Sequence, residues 1–94
     1  AYAHYQSGHG KEAIDAFHVL CARRPLESRF WFGLGASLQE EKKYQDALHA
    51  WAMTALLNPN DPNPHFHAAE CYLSLNLPQE AEKAFQEARL RNPA

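Results

Sequence analysis

The chain has 94 residues, of which 46% are hydrophobic and 21% charged, with a formal net charge of −2. Such an apolar share excludes a disordered tail, and the length suits one domain or a piece of one. No Lys/Arg cluster offers a footprint for a nucleic-acid backbone, nothing at the start reads as a signal peptide, and no apolar run approaches the roughly 18–20 residues of a membrane-spanning helix.

In chain order, a first helix is expected only as residues 1–7, followed by a predicted turn at Ser7-Gly8-His9-Gly10. Hydrophobic spacing then predicts helices over about 11–23, 28–40 and 44–57. The stretch 58–64, rich in Asn and Pro, reads as a loop, with Asp61 or Asn63 as N-cap of the next helix and a proline in its first turn. Two further helices are predicted over about 63–75 and 79–91, separated by Leu77-Pro78. Alternating strand patterns are absent.

These helices repeat. Pro25, Pro59 and Pro93 are spaced by 34 residues, as are Ala13, Ala47 and Ala81, and Phe17, Trp51 and Phe85. The same step links Ala1, Gly35 and Ala69, and Leu38 with Tyr72. The middle copy, with Trp31, Leu34, Gly35, Leu38, Tyr44, Ala47, Trp51 and Pro59, resembles the tetratricopeptide consensus closely. Each column has a physical reason. Small residues let the two helices of a hairpin approach. The aromatic four residues after the second-helix alanine lies on the same face and fills the space between units. The proline ends the second helix. The expected fold is an all-α tetratricopeptide solenoid of about three repeats in one domain over 1–94, with repeat one truncated at 1–27, repeat two at 28–61 and repeat three at 62–94.

A curved stack of helical hairpins exposes a concave groove lined by the first helix of each repeat. The inward positions are Tyr2, Tyr5 and Gln6 in repeat one, and Arg29, Phe32, Ala36, Gln39 and Glu40 in repeat two. Repeat three contributes Asn63, Phe66, Glu70, Leu73 and Ser74. Aromatic and aliphatic groups on a face that the core does not need point to a binding surface. The expected peptide-binding residues are Tyr2, Tyr5, Gln6, Arg29, Phe32, Ala36, Gln39, Phe66, Glu70 and Leu73. For the large apolar ones the alternative is packing against neighbouring helices. The Lys, Asn and Arg clamp by which some tetratricopeptide co-chaperones grip an acidic C-terminus is not formed, because those positions hold Tyr2, Gly33, Asn63 and His67. The groove therefore suits an apolar segment.

No enzyme is expected: there is no phosphate-binding glycine loop and no Ser/His/Asp arrangement, and Glu40, Glu41, Glu80 and Glu82 sit among lysines as solvated faces. The pairs His67/Cys71 and His18/Cys21 share helix faces but lack a third ligand at suitable spacing, so neither a metal nor a cofactor is expected. The histidines are read as partly buried imidazoles in helix contacts, and the two cysteines as buried thiols.

Several strings go beyond the repeat consensus: Tyr5-Gln6-Ser7-Gly8, Phe17-His18-Val19-Leu20-Cys21, Ser28-Arg29-Phe30-Trp31-Phe32-Gly33-Leu34-Gly35-Ala36 and Phe66-His67-Ala68-Ala69-Glu70-Cys71. Together they resemble the class II chaperones of bacterial type III secretion over almost the whole chain. The resemblance implies a bacterial cytoplasmic chaperone that keeps hydrophobic translocator proteins soluble before export. It implies that an extended Pro-x-Leu-x-x-Pro segment near the client's N-terminus occupies the groove, with Tyr2 and Tyr5 as groove aromatics and Phe66 and Glu70 in the third-repeat string. Neither nucleic acid nor membrane is an expected partner. A generic scaffold repeat within a larger assembly is the alternative. There are departures. Gly10 stands where the family often has an aromatic, which would thin one groove wall, and Pro25 restores a consensus that relatives can lack. The N-terminal helix that commonly carries a dimer contact and the C-terminal capping helix are not found. With the start at Ala1, this leads to the expectation of a core fragment, with any homodimer formed through segments outside it.

Overall fold

The computed structural model describes residues 10–91, so the expected helix over 1–7 lies outside the described residues. Within them five helices follow one another: α1 (Gly10–Arg23), α2 (Ser28–Glu40), α3 (Tyr44–Leu57), α4 (Asn63–Ser74) and α5 (Pro78–Arg91). Every end agrees with the sequence expectation to within one residue. Each helix packs on the one before and the one after it, as short connections require of antiparallel hairpins.

The 34-residue columns become the core. Ala47, Ala50 and Thr54 on α3 are buried, and so are their counterparts Ala81, Ala84 and Ala88 on α5. Small side chains at these positions allow close approach of the paired helix. Trp51 is among the largest fully buried side chains, at 1% exposure, in a cluster with Ile14, Cys21, Leu34, Leu38, Ala47, Ala50 and Cys71. Its indole lies over Gly35, where an added Cβ would come within 2.8 Å of the ring. The small residue of the repeat is therefore a demand of the tryptophan it faces.

The connections are pinned by polar contacts. The Trp31 indole N–H donates to the carbonyl of Pro25 at 2.8 Å, tying α2 to the turn before it. Asn58 Nδ2 donates to Ser28 Oγ at 2.9 Å, and Arg91 Nε donates to the Pro59 carbonyl at 2.6 Å. The loop after α3 is thus held by both the preceding and the following repeat. At the start of α4 the expected cap needs correction. Pro62 takes the N-cap position, Asn63 lies inside the helix, and Asp61 supplies the capping oxygen by accepting from the Asn63 N–H at 2.9 Å.

The first helices of repeats two and three end in the same way. Lys42 and Asn76, 34 residues apart, are the two described non-glycine residues with positive φ, at 62° and 61°. In the first case the Lys43 N–H reaches back to the Leu38 carbonyl and the Lys42 N–H to Gln39; in the second, Leu77 reaches Tyr72 and Asn76 reaches Leu73. This double bond pattern is a Schellman motif, and it turns the chain tightly into the second helix. Left-handed backbone costs a side-chain-bearing residue about 1–2 kcal/mol, less for Asn, while glycine adds about 0.5–1 kcal/mol of unfolded-state entropy. Urea denaturation should therefore find Lys42→Gly more stable than the parent by about 0.5–1 kcal/mol, with a smaller gain for Asn76→Gly.

Both cysteines are free and buried. Burial, with a smaller contribution from the Glu70 carboxylate, pushes the Cys71 thiol up to about 11 from an ordinary value of 9.0, against an opposing hydrogen bond with Trp51. The folded chain then keeps a proton that the unfolded chain releases, so this contribution to stability is complete below about pH 9 and is lost as pH rises towards 11. Thermal melts across that window should show a shallower decline for Cys71→Ala than for the parent.

Candidate functional site

The spacing of Arg29, Phe32, Ala36 and Gln39 places them along one face of α2, and that of Phe66, Glu70 and Leu73 along one face of α4. The two faces meet across α3. Gln39 Nε2 donates to Glu70 Oε1 at 2.9 Å, joining residues 31 apart in sequence. Phe32 stands edge-on to Trp51 at 5.0 Å and to His67 at 5.7 Å. Gln39 and Phe32 of repeat two thus touch Glu70 and His67 of repeat three. Tyr2, Tyr5 and Gln6 lie outside the described residues.

Two side chains that the spacing did not assign to the groove complete its floor. The His67 ring stacks on Trp51, centroids 4.5 Å apart and planes 13° from parallel, and its Nδ1 lies 3.1 Å from Glu70 Oε1. The Trp51 indole N–H donates to Gln39 Oε1 at 3.0 Å. A polar chain therefore runs from the buried tryptophan through Gln39 to Glu70 and His67. The reading of histidines as helix-contact groups describes His67. The signal for its link to Glu70 was the i, i+3 spacing.

The individual positions differ in availability. Ala36 and Glu70 are exposed, and Leu73 keeps 52% of its surface in solvent. Phe32 and Phe66 are half-buried, each against the aromatic of its own second helix; Phe66 meets Phe85 at 6.3 Å. They are at once groove wall and core. Arg29 is drawn towards the helix start, 3.6 Å from a Glu27 carboxylate oxygen and over the Phe30 ring at 5.2 Å. Gly10 is buried, with the flexible Glu41 side chain filling the place that a Cβ would take.

Elsewhere, two clefts border α3, and only the first is shared with α5. One, of about 520 Å³, lies among Leu56, Pro64, His65, Tyr72, Ala84 and Arg91. The other, of about 880 Å³, is bordered by Trp31, Leu48, Ala52, Met53, Leu56 and Tyr72. Burial, and then the Arg91 guanidinium, hold the His65 imidazole below its usual range, and its Nε2 is enclosed without a hydrogen-bond partner among the described residues.

Comparisons with known proteins bear on this groove. The family model for the anaphase-promoting complex, cyclosome, subunit 3 matches residues 19–88. The chain is 39% identical over 82 residues to the low calcium response locus protein H of Yersinia pestis, an alignment covering 87% of this chain and 49% of that protein. It thus spans about half the length of the curated relatives it matches. Among solved structures it superposes on the Yersinia enterocolitica type III secretion chaperone SycD in complex with a peptide of the translocator YopD. The TM-score there is 0.88 at 35% identity, covering 98% of this chain and 70% of that one. It also superposes on PcrH in complex with the chaperone binding region of PopD, with TM-score 0.87, 36% identity, and coverage of 98% and 71%. The chain belongs to the helical-repeat family that the subunit 3 model describes and, within it, to the translocator chaperones of type III secretion.

Proposed function

We propose that this chain holds an extended, proline- and leucine-containing segment of hydrophobic translocator proteins in the groove between α2 and α4, keeping those clients soluble in the bacterial cytoplasm before export. The observation that carries this reading is the pair of contacts by which Phe32 and Gln39 on α2 reach His67 and Glu70 on α4, on helices that also expose Ala36 and Leu73. It joins an apolar wall to fixed polar atoms, the combination that an extended segment needs. That SycD and PcrH carry translocator segments adds support. Tyr2, Tyr5 and Gln6, outside the described residues, are assigned to the same contact set from their sequence positions, and Arg29 stands near the start of α2. The chemistry is binding alone, and no residue is given a catalytic role. No helix among the described residues is long and apolar enough to cross a membrane.

Alanine at a peptide-contacting aromatic or aliphatic anchor costs about 1–2 kcal/mol, or roughly five- to thirtyfold in affinity. Fluorescence anisotropy with a labelled Pro-x-Leu-x-x-Pro peptide should show micromolar binding to the full chain, weakened by that factor in Leu73→Ala and Tyr5→Ala. Leu56→Ala, at a 72% exposed position on the other clefts, should bind as the parent does. Loss in Leu56→Ala with none in Leu73→Ala would place binding on the α3–α5 side and support a scaffold module instead. Circular dichroism checks that each variant is folded.

A further inference from the structure

The hydrogen bonds at the groove floor have a direction that can be derived. An indole nitrogen only donates, so the atom of Gln39 facing Trp51 at 3.0 Å is its oxygen. The Gln39 amide nitrogen is then the atom that donates to Glu70 Oε1. A carboxylate oxygen accepts, so His67 Nδ1 carries its hydrogen and donates to the same Oε1. Two donors from two helices converge on one oxygen. Oε2 receives no hydrogen bond from the described residues, and the Glu70 side chain is 55% exposed on the helix face it shares with Phe66 and Leu73.

We infer that Glu70 Oε2 is the groove's acceptor for a backbone N–H of the bound segment, with Gln39, His67 and Trp51 as positioning residues that hold the carboxylate in place. The inference rests on the groove reading proposed above and names what selects an extended conformation. A helical client segment uses its own N–H groups internally, whereas an extended one presents them bare. Laying such a segment on an apolar wall leaves each covered N–H without water, and a fixed acceptor removes that cost. Prolines have no N–H, so the acceptor reads a residue between the prolines. Charge-assisted bonds of this kind are about twice as strong as neutral ones, and the prior anchoring of Oε1 reduces the freedom lost when Oε2 is engaged.

The test replaces single peptide amides by esters, which removes one N–H at a time, and titrates each peptide against the full chain and against Glu70→Gln. In Glu70→Gln the two converging donors keep the side-chain oxygen at the Oε1 place and put an NH2 group at the Oε2 place. One ester between the prolines should weaken binding to the parent about tenfold and to Glu70→Gln by less than about twofold. His67→Asn, whose amide nitrogen takes the place of Nδ1, should retain this coupling, and His67→Leu should lose most of it. If the all-amide peptide binds the parent yet no ester position couples to Glu70, the inference is overturned while the groove reading stands. Coupling only to a Lys or Arg side chain of the peptide overturns it equally. Failure of the all-amide peptide to bind rejects the groove reading itself.

Discussion

The packing of Trp51 between Gly35 and His67 is the contact on which the rest of this fold turns. The indole lies against the glycine of α2, the imidazole of α4 stacks on it, and Phe32 meets it nearly at right angles. Three helices from two repeats therefore share one side chain. Removing a large buried aromatic costs about 3–5 kcal/mol, a large fraction of the stability of a domain this size. Here it would also part the two walls of the groove. Core and proposed binding surface are two sides of the same packing, which is why Phe32 and Phe66 are only partly exposed.

The periodic scaffold around this contact is held by backbone as much as by side chains. Lys42 and Asn76 turn the chain at equivalent points through the same pair of hydrogen bonds, so the first-helix faces of repeats two and three follow one another at a set angle. The loop between the repeats is fastened to Ser28 on one side and to Arg91 on the other. Side-chain geometry at the groove floor depends on this regularity, because Gln39 and Glu70 must be brought within 2.9 Å from different hairpins.

Much of this was legible in the sequence. The alanine, aromatic and proline columns encode helix length and pairing, and they located all five described helices. The shared faces of α2 and α4 followed from spacing alone. What escaped was whatever depends on two residues far apart. No local signal shows that Gln39 and Glu70 meet, that His67 lies on Trp51, or that Phe66 packs towards Phe85. The left-handed turns were hidden for another reason: the position favours glycine, and this chain uses Lys42 and Asn76, so composition gave no sign. Spacing also could not show that the long Arg29 side chain is captured by Glu27 and Phe30. At the start of α4 Asp61 caps from outside the N-cap position because Pro62 occupies it.

A stack of alike units poses a problem of register, since a ligand that fits one unit should fit the next after a slide of one repeat. The second-helix aromatic column reads Phe17, Trp51, Phe85, and of these only the tryptophan carries a side-chain N–H. The polar chain across the groove floor can begin nowhere else in that column. A single atom buried in the core thus breaks the translational symmetry of the solenoid and marks one place along it as different. A segment held in the proposed groove would be read against that mark, its position along the stack set from inside the protein rather than from its ends.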